Sequence, residues 1–132
     1  MTMHASGPFD VKLTPQPAEP DIDGGLARMA LDKTFHGDLD ATSKGTMLSA
    51  MTDVKGSAGY VALERVTGTL HGRRGSFVLQ HSGTMDRGAP TLTISVVPDS
   101  GTDELVELSG TMAIVIARGT HNYGFDYELP DR

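Results

Sequence analysis

The chain of 132 residues has no cysteine and no tryptophan, and its aromatic complement is three tyrosines and four phenylalanines. Without cysteine there is no disulfide framework, no thiolate metal site and no thiol nucleophile. A thiol-free chain suits a reducing compartment, and the expected location is the cytoplasm. No apolar run approaches the ~20 residues that a membrane span needs. The first residues lack a basic stretch followed by an apolar one, so no signal peptide is expected and no membrane partner either. Basic residues are also scarce: 11 Lys and Arg against 17 Asp and Glu give a net charge of −6. That balance argues against a nucleic-acid surface, which is normally basic. Leu, Ile, Val and Phe together make 29 of the 132 residues, just above the ~20% below which disorder is the better expectation. One domain spanning residues 1–132, with a modest core, follows from length and composition.

Glycine is what the chain has in excess, 16 residues without a collagen period. Between the glycines the sequence alternates apolar and polar residues, the period of half-buried strands. Eight runs read this way: Phe9–Leu13, Ala27–His36, Thr42–Thr52, Tyr60–Leu70, Ser76–Met85, Pro90–Val97, Gly110–Ala117 and Asn122–Leu129. Clusters of Gly, Pro, Asp and Asn separate them, the longest being Pro15–Gly25. The pattern predicts an all-β, eight-stranded antiparallel barrel or sandwich. Ser100-Gly-Thr-Asp103 before Glu-Leu-Val-Glu is a weak capping signal, and predicts a helical turn near Asp103–Glu107 and no long helix. Gly-Thr followed by Met or Leu recurs at Gly45, Gly68, Gly83 and Gly110. Glycine inside a strand permits the bends and close approaches that closing a small barrel demands.

Hairpin geometry identifies the inner face, because register decides which side chains share a surface. A turn at Arg73-Arg74 sets Leu70 opposite Phe77. A turn at Arg87-Gly88 sets His81 opposite Ile94, and Leu79 opposite Val96. A turn at Gly119-Thr120 sets Ile114 opposite Phe125 and Met112 opposite Tyr127. All three hairpins gather apolar residues on one side: Tyr60, Phe77, Leu79, Ile94, Met112, Ile114, Tyr123, Phe125 and Tyr127. Val61, Leu63 and Val78 fall on the outer side, where they suit contacts in a homo-oligomer. A turn at Asp38-Leu39 would place Lys33 and Lys44 together inside, which is costly unless each finds a carboxylate.

Glu64 and His81 are the polar residues that this register puts among the apolar ones, as diagonal neighbours on adjacent strands. A buried carboxylate has a raised pKa unless a nearby cation lowers it, and such a group can serve as a general acid or base. The plainer alternative is a satisfied polar island, with Glu64 paired to His81 or to an inward lysine or arginine. No His-x-His or His-Glu-x-x-His spacing is present, and His71 falls on the other face from His81, so no metal site and no cofactor are expected.

The stretch from Ser57 to Thr84, which includes Tyr60, Glu64 and His81, resembles a bacterial domain family of unknown function about 130 residues long. Phe35-His-Gly-Asp-Leu with Ser43-Lys-Gly, Val97-Pro-Asp-Ser-Gly-Thr with Glu104-Leu, and Tyr123-Gly-Phe-Asp-Tyr127 resemble the same family. The resemblance implies an eight-stranded barrel similar to allene oxide cyclase, and a fold likeness of that kind does not by itself carry an activity. It frames three expectations. The first is a cofactor-independent isomerase or cyclase with Glu64 and His81 as catalytic residues and the inward apolar set as the wall of a ligand site. The second is a binding protein for a small apolar molecule, without chemistry. The third is a filled barrel that acts as an assembly module.

Overall fold

A computed structural model describes residues 2–17 and 26–130. Eight strands follow one another: β1 (Met3–Pro15), β2 (Leu26–Phe35), β3 (Leu39–Met51), β4 (Ala58–Leu70), β5 (Arg73–Asp86), β6 (Ala89–Val96), β7 (Ser109–Ala117) and β8 (Thr120–Glu128). Each pairs antiparallel with the next, and β8 returns to β1, which closes the barrel. The one helical element among the described residues is a 3-10 turn at Asp103–Leu105. Most of the expected Pro15–Gly25 loop lies outside the described residues. Residues Leu26, Met29 and Ala30, whose spacing also fits a helical turn, are strand.

The tight hairpins share one device. Their two turn residues are His71-Gly72, Arg87-Gly88 and Arg118-Gly119, all at positive φ. This is the twist that two-residue hairpins favour. The expected Arg87-Gly88 turn is therefore found, and His81 faces Ile94 as the register required. The other two turns sit elsewhere. Leu70 pairs with Arg73, not Phe77, and Met112 pairs with Phe125, not Tyr127. Gly75 is not a turn residue; a Cβ there would meet Leu105 and the Thr102 carbonyl. Both slips shift the pairing by an even number of positions, so every side chain keeps its face. The β2–β3 pairing differs by one position from the Asp38-Leu39 turn: Lys33 pairs with Ser43, and Asp32 with Lys44. Lys33 therefore points inward, whereas Lys44 points out and bonds Asp32 at 3.0 Å.

The barrel has two unlike ends. At the end formed by the β2–β3 and β4–β5 turns, the lumen is solid. Phe77 stacks on Phe125 with ring centres 5.8 Å apart, Phe125 on Tyr127 at 5.4 Å, and Phe35 meets Tyr123 edge-on at 5.5 Å. Leu39, Leu70, Leu105 and Leu108 are fully buried around them. The segment 97–108 seals this end by bonding to the part of β5 that β6 is too short to reach. Val97 N–H and Thr102 N–H donate to the carbonyls of Val78 and Ser76. In return Val78 and Ser76 donate to the hydroxyls of Ser100 and Thr102, and Arg74 donates to the Glu104 carboxylate. At the other end the inward residues flare into solvent: Met51 is 69% exposed, Ile116 65%, and Leu13, Met85 and Leu92 more than 40% each.

Candidate functional site

Four consecutive strands each send polar side chains to the middle of the lumen. Lys33 comes from β2, Ser43 from β3, Tyr60 and Glu64 from β4, and His81 from β5. Glu64 is the hub. Its Oε1 accepts from the Ser43 hydroxyl at 2.7 Å, and its Oε2 accepts from Lys33 Nζ at 2.8 Å and His81 Nε2 at 2.5 Å. The carboxylate has no exposed surface, and Lys33, Ser43 and His81 are buried with it. Lys33 also lies over the rings of Phe9 and Phe35, at 5.2 and 5.7 Å from their centroids. Rings so placed attract a cation and ease its burial. Gly45 opposite Glu64 makes the packing feasible: a Cβ there would come within 2.7 Å of Glu64 Cα.

Burial would raise the Glu64 pKa. The His81 hydrogen bond, the charge of Lys33, and the hydrogen bonds from Lys33 and Ser43 outweigh it and bring the carboxyl down from 4.5 to about 2. Glu64 is thus an anion at neutral pH and can only accept hydrogen bonds. His81 must then carry a proton on Nε2. In the neutral imidazole its Nδ1 is an acceptor, and the Tyr60 hydroxyl, 3.2 Å away, donates to it. Burial and then the Glu64 charge raise the Tyr60 pKa, so the phenol stays protonated. The result is an ordered chain from Tyr60 through His81 to Glu64, with Lys33 balancing the charge.

Tyr60 is where this chain meets solvent. Its ring lines an apolar cavity of about 390 Å³ in the flared end, together with Met47, Met51, Met85, Pro90 and Leu92. Gly83, opposite Tyr60, sets the ring's position, since a Cβ there would stand 2.6 Å from Tyr60 Cε1. The remaining residues expected to form a ligand wall are distributed differently. Phe77, Leu79, Tyr123, Phe125 and Tyr127 are part of the solid core, with Ile114 packed against it. The hydroxyl of Tyr123 donates to the His36 carbonyl at 2.7 Å and accepts from Leu39 N–H at 2.8 Å, while that of Tyr127 bonds His71. Ile94 and Met112 belong to the same core and also border a second cavity, of about 230 Å³, between β6 and β7. Of the outer residues, Val61 and Leu63 line an external groove of about 470 Å³ with Leu48, whereas Val78 is partly covered beside Ser100.

Lys33 and Ser43 are members of the polar cluster that sequence reading did not assign. Their signal was present: position 33 alternates in phase with Leu31 and Phe35, so an inward lysine required an inward carboxylate. Among the described residues no group of three or more His, Asp or Glu is placed to hold a metal ion. No helix among them is long and apolar enough to cross a membrane.

Residues 5–127 match the family model described as a protein of unknown function, DUF3224. The chain is similar over its whole length to a solved structure from Shewanella oneidensis MR-1, a DUF3224 protein of unknown function. Identity is 56%, all of both chains is covered, and the TM-score is 0.94. No curated protein matches the chain.

Proposed function

We propose, for a chain that belongs to the DUF3224 family, that the flared end of the barrel binds one small apolar molecule against the ring of Tyr60. The observation that carries this reading is the apolar cavity of about 390 Å³ lined by residues of β3, β4, β5 and β6. Apolar concave sites with few polar groups are the usual form of small-molecule sites. Three methionines in its wall favour an adaptable fit over a rigid one. Beneath it, the buried Lys33–Glu64–His81 cluster holds Tyr60 by its hydroxyl and so fixes the floor.

Titration with N-phenyl-1-naphthylamine, a neutral dye that brightens in apolar surroundings, tests the reading. Saturable binding of one dye per chain is expected, weakened at least about ten-fold by Leu92→Trp, a change of about 1.4 kcal/mol. Absence of saturable binding overturns it. Organic extraction of the purified protein followed by mass spectrometry identifies what it carries from the cell.

A second reading, acid–base chemistry of the isomerase or cyclase kind known from allene-oxide-cyclase-like barrels, is favoured by one feature. The Tyr60–His81–Glu64 chain has the order of groups that orients an imidazole against a reacting hydroxyl. Here Tyr60 is the group that would touch substrate; His81 and Glu64 would act through it as positioning residues. Conversion of the extracted molecule by the wild type but not by Tyr60→Phe supports this reading, and recovery of the unchanged molecule from the wild type rejects it. In either reading, self-association through Leu48, Val61 and Leu63 is a proposal that sedimentation of Leu63→Lys tests.

A further inference from the structure

The wall of the barrel is incomplete at one seam, and that seam borders the proposed ligand site. The ladder between β6 and β7 consists of two positions, Ile94 with Met112 and Ser95 with Thr111. Toward the flared end both strands run on, β6 to Ala89 and β7 to Ala117, with no further register between them. Alternate residues of an antiparallel strand aim their N–H and C=O at the same neighbour. Alternate residues of 89–93 and of 113–117 therefore turn backbone polar groups into the seam. The cavity of about 230 Å³ lies where that stretch begins, on the outer side of the wall, and the outward-facing Thr93, Thr111 and Asp126 border it. Leu92 borders both this cavity and the apolar one.

Two adjoining cavities of opposite character describe an amphipathic ligand. We infer, building on the reading above, that the natural ligand has an apolar body in the mouth and a neutral, hydroxyl-rich head group that passes between β6 and β7 beside Leu92 to the outer side of the seam. The head is neutral because Asp126, the one charged side chain that borders this cavity among the described residues, is already engaged by His4 at 2.6 Å and would repel a carboxylate or phosphate. It is hydroxyl-rich because a seam of backbone N–H, backbone C=O and threonine hydroxyls offers donors and acceptors together, which a hydroxyl matches in both roles.

Displacement of bound N-phenyl-1-naphthylamine by octyl β-glucoside and by octanoate, both below micelle formation, separates the claims. The two share an eight-carbon chain and differ in the head. Octyl glucoside is expected to displace the dye at concentrations at least about ten-fold lower. The double variant Thr93→Val/Thr111→Val is expected to bind the dye as the wild type does while losing most of that preference. Equal displacement by the two compounds, or a preference that survives in the double variant, overturns the head-group assignment and leaves the apolar site standing. Failure of the dye itself to bind overturns both.

Discussion

The two ends of this barrel use the same strands and the same alternation, yet one is solid and the other is hollow. The difference lies in what fills the lumen and what completes the wall. At the solid end, Phe35, Phe77, Tyr123, Phe125 and Tyr127 interlock, and the 97–108 segment supplies the backbone partners that β5 lacks. At the hollow end, methionine, proline and leucine line the space, and the β6–β7 ladder stops at Ile94 and Met112. The Lys33–Ser43–Glu64–His81 cluster sits at the border. A polar layer there divides a region built for stability from one that stability does not require.

That contrast can be broken most directly at the border. Glu64→Leu leaves Lys33 buried without its anion, and stability measured by urea unfolding is expected to fall by about 3–5 kcal/mol. Lys33→Met added to Glu64→Leu is expected to restore most of the loss, since a packed apolar pair replaces a packed ionic one. If the single variant is as stable as wild type, the cluster does not divide the barrel energetically.

Phe125→Ala in the solid end is expected to cost about 3–5 kcal/mol, and Met85→Ala in the hollow end under about 1 kcal/mol. Comparable losses would mean that the two ends are energetically alike.

Acid titration reads the cluster without the ends. The Glu64 carboxyl is held at about 2 in the fold against 4.5 ordinarily. Because the folded value is the lower one, its contribution is complete above pH 4.5 and is lost as the pH falls toward 2. It is on the order of 3 kcal/mol. Glu64→Gln is expected to flatten the stability profile across that window, and an unchanged slope would contradict the ion pair.

A similarly small effect on stability is expected from Gly83→Ala. The new Cβ pushes the Tyr60 ring, whose Cε1 it would meet at 2.6 Å, toward the cavity. Dye affinity is expected to drop several-fold, with stability changed by about 1 kcal/mol or less. Unaltered affinity would show that Tyr60 does not form the floor.

How far the sequence could be read depends on which physical signal carries each feature. Strand count and inner face are carried by a two-residue period, which tolerates a mistaken turn when the slip is even. Arg73-Arg74 and Gly119-Thr120 were mistaken turns of that kind, and the faces came out the same. Glu64 and His81 were legible as polar residues in an apolar phase. Lys33 was legible as inward but not as the partner of Glu64, because a one-position error in the β2–β3 turn placed Lys44 beside it. Gly75 was misleading because a glycine needed for the close approach of Leu105 looks identical, in sequence, to one needed for a turn.

The sequence by itself determined an all-β chain, its alternation, and the inward placement of a carboxylate and an imidazole, since these follow from period and composition. Only the tertiary structure decided that Glu64 is an anion and that one end of the lumen is filled. The first depends on which strand brings Lys33 within 2.8 Å. The second depends on where β6 ends beside β5, which leaves the rest of β5 to the 97–108 segment. Both are long-range consequences of register, which local patterning constrains in parity but not in position.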